Sequence, residues 1–218
     1  MRIENSNSWN QQCLEHELEH ILSQREKRKL DPDGLVIAAV LCPIFIKDGE
    51  PHILLTKRTD MVEHHKGEVS FPGGKLDNTD PDLLHCALRE TSEEVGIDPQ
   101  DVHVIGELDD FYTVATNYLV VPFVGTIPYP YKFQLSAREI DEVLGVPMEV
   151  FFDPTRRRTE IWDVWGQKTK VIFYDWHEYI IWGATARILK HFIDLLGDSW
   201  IHKQVMCEKS GSLESTDA

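Results

Sequence analysis

The residues best placed to do chemistry lie in one short run, Arg89-Glu90-Thr91-Ser92-Glu93-Glu94-Val95-Gly96-Ile97. In a helix, Glu90, Glu93 and Glu94 stand at i, i+3 and i+4 and share one face. Three like charges so close repel one another, and a hard divalent cation resolves the conflict. Mg²⁺ prefers oxygen ligands and is commonly held by few carboxylates together with substrate phosphates. Arg89 precedes Glu93 by four residues and can steady it through a charge-assisted hydrogen bond. The opposite face (Leu84, Ala87, Leu88, Thr91, Val95) is mostly apolar, as packing on a sheet requires. A merely solvated acidic helix would carry the same glutamates, so the preceding loop matters. Phe71-Pro72-Gly73-Gly74-Lys75 comes out of a strand, and its glycines let backbone approach a ligand or the helix closely.

Other side chains are candidates with plain structural alternatives. Arg58 closes a strand shortly before the glycine loop and can meet a substrate phosphate or a surface carboxylate. Lys75, beside Gly74, presents the same choice. His65, with His64 next to it, has the chemistry of an acid or base and is also an ordinary polar-loop residue. Glu139 and Glu142 can supply a further carboxylate from outside the helix, with no choice between them. His16 and His20 are spaced i, i+4, but Glu15, Glu17 and Glu19 around them read as a solvated face. Trp162, Trp165, Trp176 and Trp182 read as core and sheet packing rather than a base-stacking platform.

The elements that must position these residues follow from periodicity. Residues 9–29 carry Trp9, Leu14, Leu18, Ile21 and Leu22 at helical spacing, an amphipathic helix that covers the domain or a partner. Strands are expected at 35–46 and 51–58, with Lys47-Asp48-Gly49-Glu50 as the turn between them. A helix is expected from about Asp80 to Val95, with Asp80 as N-cap, Pro81 at the first helical position and Gly96 as terminator. Further strands are read at 102–108, 118–125, 159–165 and 170–174, with Gly166-Gln167 as a hairpin turn. Short helical pieces are read at 137–144 and 148–152, and a closing amphipathic helix at 184–196. Strands alternating with helices give an α/β or α+β sandwich with mixed sheets. Residues 1–30 form the N-terminal helix region, 31–200 the catalytic domain and 201–218 a flexible tail rich in Ser, Glu and Lys.

Bulk properties narrow the function classes. The chain has 218 residues with 42% hydrophobic composition, enough for one well-cored domain. A formal net charge of −15 argues against binding nucleic acid through its backbone. It leaves room for a phosphorylated small molecule, because a bound divalent cation reverses the local field. Cys13, Cys42, Cys86 and Cys207 form no C-x-x-C pair and are expected to be reduced thiols. The N-terminus lacks the order of a signal peptide, and the longest apolar run, Leu35 to Ile46, is too short to span a bilayer. A cytoplasmic protein that does not engage membrane is the expectation, and a homodimer is compatible with it.

These motifs resemble the Nudix family, whose signature is Gly, five residues, Glu, seven residues, then Arg-Glu-apolar-x-Glu-Glu-x-Gly-apolar. Five residues separate Gly74 from Asp80, which stands where the signature has Glu, and eight rather than seven separate Asp80 from Arg89. Thr91 fills a slot that is usually apolar; the other fixed positions from Arg89 to Ile97 match. The resemblance implies an α/β/α sandwich with a mixed sheet and hydrolysis of a pyrophosphate bond. It also implies Mg²⁺ (or Mn²⁺) held by Glu90, Glu93, Glu94 and Gly74, with one glutamate serving instead as the base acting on water. Arg89 joins the catalytic set, and Arg58, His65, Gly73, Gly74 and Lys75 the substrate-binding set.

The extra residue in the signature, Leu54-Leu55-Thr56-Lys57-Arg58 and the run from His65 to Gly74 are similar to the coenzyme A pyrophosphatase branch. So are Glu139-Ile140-Asp141-Glu142-Val143 with Val146-Pro147, and Ile181-Trp182-Gly183-Ala184-Thr185-Ala186. Glu63 departs from that branch, which commonly carries arginine two residues before the histidine. The expected substrate is coenzyme A or a derivative, giving 3′,5′-ADP and 4′-phosphopantetheine. Alternatives are another nucleotide conjugate (ADP-ribose, NADH or a dinucleoside polyphosphate), a non-catalytic nucleotide sensor, or an interaction scaffold acting through residues 9–29.

Overall fold

The computed structural model describes residues 9–60, 66–113, 116–197 and 200. Glu63, His64, His65 and the tail 201–218 lie outside the described residues. Along the chain run helix α1 (Gln11–Ser23), strands β1 (Val36–Lys47), β2 (Glu50–Arg58), β3 (Val69–Ser70) and β4 (Gly73–Lys75), and helix α2 (Leu83–Val95). Next come β5 (His103–Glu107), β6 (Phe111–Tyr112), β7 (Tyr118–Thr126), β8 (Ile140–Pro147) and a short helix α3 (Glu149–Phe152). The chain closes with β9 (Arg157–Val164), β10 (Gln167–Trp176), β11 (Tyr179–Trp182) and α4 (Gly183–Leu196).

Strand β1 is the centre of a mixed eight-stranded sheet. It pairs antiparallel with β2 and β4 and parallel with β7, while β8 extends the sheet beyond β2. A strand with layers on both faces must be apolar throughout, which is why β1 reads as one hydrophobic run. Its Ala39 and Leu41 turn to α2, packing with Cys86 and Ala87, while Cys42 and Ile44 turn to the opposite layer. That layer holds Leu14, Leu18 and Leu22 of α1 and Ile188, Leu189 and Phe192 of α4. The result is the expected α/β/α sandwich. The apolar face of α1 is therefore consumed by the chain's own core, not held out for a partner.

Several boundaries differ from expectation. The stretch 137–144 is not helical: from Ile140 it is strand β8, paired with β2 through Leu55↔Leu144 and Thr56↔Val143. Its helical periodicity loses to the demand of β2 for a second partner. Helix α2 starts later than expected, with Asp82 rather than Asp80 as N-cap, accepting from the His85 N–H at 2.9 Å. Gly96, at φ 72°, ends it in the left-handed conformation as anticipated. In the second, three-stranded sheet the hairpin turn is Trp165-Gly166, both at positive φ, and β11 was not anticipated. Trp162 and Trp182 pack together at 5.4 Å, but Trp165 is 83% exposed at the turn, against the packing role expected of it. Cys42 and Cys86 are free and buried, whereas Cys13 is disulfide-bonded, contrary to the expectation of reduced thiols. No helix among the described residues is long and apolar enough to cross a membrane.

Candidate active site

Two adjacent glycines bring β4 and α2 together. Gly73, at φ 146°, lies so close to β1 that an added Cβ would stand 2.4 Å from the Ala39 carbonyl oxygen. Gly74 pairs with Ala39 in β1, and a Cβ there would stand 2.4 Å from the Glu90 carboxyl carbon. The empty side of Gly74 is thus the cradle of the Glu90 carboxylate. Side chains bulkier than hydrogen would displace one or the other.

The three glutamates share a helix face but not an environment. Glu94 is buried at 3% exposure; it accepts from the Gly73 N–H at 3.1 Å and from Arg58 Nη1 at 3.3 Å. Burial pushes its carboxyl up to about 7, partly offset by the Gly73 amide and Arg58 and reinforced by Glu90 and Glu139. Glu90 is half-buried and accepts from Arg89 Nη1 at 2.9 Å; burial raises its carboxyl too. Glu93 is exposed and accepts from the same nitrogen at 3.2 Å, the i, i+4 contact expected of Arg89.

Arg89 does more than the sequence suggests. Its Nε and Nη2 hold Asp80 in a fork at 2.8 and 2.9 Å, and Nη2 also reaches the Lys75 carbonyl at 3.4 Å. That fork holds the Asp80 carboxyl far below its ordinary value. Asp80, expected to cap the helix, instead ties the loop before α2 to its middle turn. Bidentate pairing was the missed signal: an acidic residue shortly before an arginine-bearing helix can fold back on it. Thr91, the departure from an apolar slot, is buried and donates its hydroxyl to the Ala87 carbonyl at 2.7 Å, so its polarity is satisfied inside the helix.

Of the other candidates, Arg58 is brought in, and Glu139 with it. Arg58 Nη2 stands 4.0 Å from Glu139 Oε2, and the Glu139 carbonyl accepts from the Thr59 N–H at 2.8 Å. Glu142, across from Lys57 in the β2–β8 pairing, is not brought in; its carboxylate accepts from the Tyr179 hydroxyl at 2.6 Å. Lys75 is in β4 with an exposed side chain. A groove of about 440 Å³ opens beside Arg58, lined also by Lys57, Leu135 and Ala137 and by two carboxylates, Asp60 and Asp141. His65 lies outside the described residues.

The oxygen donors suit a hard cation. Glu90, Glu94 and the Gly74 carbonyl are oxygen ligands of the kind Mg²⁺ prefers, and the Gly74 cradle keeps a carboxylate against backbone. Among the described residues, no three His, Cys, Asp or Glu side chains converge closely enough to hold a metal ion by themselves. The arginines divide the carboxylates instead, Arg89 taking Glu90 and Glu93 and Arg58 taking Glu94.

A family model described as the NUDIX domain matches residues 36–151. Nudix hydrolase 22, chloroplastic, of Arabidopsis thaliana is 38% identical over 159 residues, 70% of this chain and 52% of that protein. The chain therefore spans about half the length of that plant relative. The Nudix hydrolase NudL of Klebsiella pneumoniae is 35% identical over 178 residues, 82% of this chain and 86% of that protein. Among solved structures, a MutT/nudix family protein from Enterococcus faecalis aligns with a TM-score of 0.55 and 15% identity, over 94% of this chain and 78% of that one. At that identity the likeness establishes a shared fold.

Proposed function

The chain belongs to the Nudix hydrolase family and is a pyrophosphohydrolase, and from that premise we propose that it cleaves a nucleoside diphosphate-linked substrate, coenzyme A or a derivative, at the site between β4 and α2. The observation that carries the site is the Gly74 cradle around the Glu90 carboxylate, with buried Glu94 one helical turn further on. The choice of coenzyme A rests on the branch motifs around Arg58, Gly73-Gly74 and Ile181–Ala186.

Glu90, Glu94 and the Gly74 carbonyl would hold Mg²⁺ or Mn²⁺, with exposed Glu93 completing the set. When bound, the cation polarises phosphorus and lowers the pKa of a water. The chain's own groups do the rest. Arg89 and Asp80 fix the helix turn that carries Glu90, so its carboxylate keeps its place against Gly74. Arg58 lines the groove, and a guanidinium fork suits a phosphate oxygen. Glu139, which shares Arg58 with Glu94, is placed to take the proton of the attacking water; Glu142, held by Tyr179, is not. Attack at one phosphorus would release 3′,5′-ADP and 4′-phosphopantetheine.

The test is a turnover panel with Mg²⁺: coenzyme A, NADH, ADP-ribose and diadenosine polyphosphates side by side, products identified by mass, for wild type and Glu93→Gln. The reading expects coenzyme A to be preferred and Glu93→Gln to be nearly inert. Cleavage of the others but not coenzyme A would sink the substrate assignment. Cleavage of none would leave a nucleotide sensor.

A further inference from the structure

Arg58 occupies an unusual position for a residue expected to bind substrate. Its guanidinium lies between two carboxylates, with Nη1 at 3.3 Å from Glu94 and Nη2 at 4.0 Å from Glu139. A register shift between Lys57 and Arg58 in the β2–β8 pairing re-aims the side chain at this point. The backbone fixes the partners as well: Arg58 N–H donates to the Glu68 carbonyl at 3.0 Å, Thr59 N–H to the Glu139 carbonyl at 2.8 Å, and the Thr59 hydroxyl to the Arg138 carbonyl at 2.8 Å. Among the described residues the buried Arg58 Nε has no hydrogen-bond partner. A buried donor left unmade is costly, so the guanidinium is held by its charge pairs with no full set of hydrogen bonds to lock it.

On the reading of the site given above, we propose that Arg58 is a positioning residue that serves as the resident counter-ion of Glu94 and Glu139, so that a divalent cation binds in competition with it. The two arginines of the site then have separate tasks. Arg89 is pinned by its fork to Asp80, and its contacts with Glu90 and Glu93 come from a fixed base. Among the described residues Arg58 has no such fork, and its charge is the movable one. Loss of its hold on Glu94 frees a guanidinium beside the groove, where the phosphate of an incoming substrate can take it up. Metal entry and substrate capture are thereby coupled through one side chain. The opposite role, in which Arg58 merely steadies Glu94 for the metal, makes the reverse prediction: its removal would weaken metal binding.

Mn²⁺ binding followed by the loss of the free-ion electron paramagnetic resonance signal separates the two, using full-length wild type, Arg58→Met and Arg58→Lys at one pH without substrate. The inference expects Arg58→Met to bind Mn²⁺ about 10-fold more tightly than wild type, the scale of one partly screened charge pair, with Arg58→Lys closer to wild type. Thermal unfolding supplies the second readout. Arg58→Met should lower the melting temperature of the metal-free protein more than that of the Mn²⁺-saturated protein. Equal or weaker Mn²⁺ binding by a folded Arg58→Met overturns the competition and leaves the site reading standing. If wild type itself binds no Mn²⁺, both fail together, and the two failures are thereby told apart.

Discussion

Two carboxylates with little exposed side chain, Asp80 in a half-buried loop and Glu94 in the core, each face an arginine, yet they end in opposite states. The Asp80 side chain is 3% exposed and the Glu94 side chain 4%. Asp80 receives both prongs of Arg89, at 2.8 and 2.9 Å, and its carboxyl is held far below the ordinary range. Glu94 receives one prong of Arg58 at 3.3 Å and one backbone amide, has two further carboxylates near it, and is pushed up to about 7. Depth and donors set the charge state together: desolvation in the core dominates at Glu94, whereas the two-pronged Arg89 fork dominates at the shallower Asp80. Asp80 is a completed clamp. Glu94 is an incomplete site that lacks one positive charge.

The sharpest way to break this contrast is to neutralise each acid. Glu94→Gln should reduce turnover about 1000-fold, within the range for losing a positioned catalytic group, while leaving the metal-free fold intact or steadier at pH 8. Steady-state kinetics beside thermal melting checks both halves. Gly74→Ala comes next. Its Cβ would meet the Glu90 carboxylate, so turnover should fall about 100-fold, as for a small misplacement of a reacting group, with little change in melting temperature. Asp80→Asn should act the other way round, costing about 2 kcal/mol of stability through the broken Arg89 fork, visible in urea unfolding, with a smaller kinetic effect. Smallest is the split between Glu139→Gln, expected to lower turnover about 10-fold, a modest share of general-base catalysis, and Glu142→Gln, expected to leave it unchanged. Equal effects there would remove Glu139 from the mechanism.

The sequence carried the helix from Arg89 to Gly96 well, because i, i+3, i+4 spacing translates directly into a shared face. It carried the sheet centre equally well, because a strand covered on both sides has to be apolar throughout. It failed where a long-range partner decides. The stretch 137–144 has helical spacing, yet from Ile140 it is strand because β2 needs a neighbour. Asp80 followed by Pro81 has the form of a helix start, but the Arg89 fork claims the aspartate and Asp82 caps instead. The unequal burial of Glu93 and Glu94 is likewise invisible in spacing; it arises because Glu94 leans toward Gly73 and Arg58 while Glu93 leans to solvent. Likewise, nothing local distinguishes Glu139 from Glu142; distant partners do, Arg58 for the first and Tyr179 for the second.

The contrast also sets a pH dependence. In the metal-free fold Glu94 keeps its proton up to about 7, whereas in the unfolded chain it loses it near the ordinary value of 4.5. Between these values the folded chain holds the extra proton, so stability falls as pH rises from about 4.5 through about 7 and does not recover above. A divalent cation that neutralises the ionised form must therefore stabilise the protein most at alkaline pH. The direct measurement is the Mg²⁺-induced rise in melting temperature at pH 8 for wild type and for Glu94→Gln. At about 100-fold excess over its dissociation constant the cation contributes about 2.7 kcal/mol, which for a chain of this size is a rise of about 5–10 °C. The account predicts that rise in wild type, a smaller one at pH 5.5, and almost none in Glu94→Gln. Equal rises in the two proteins at pH 8 would contradict it.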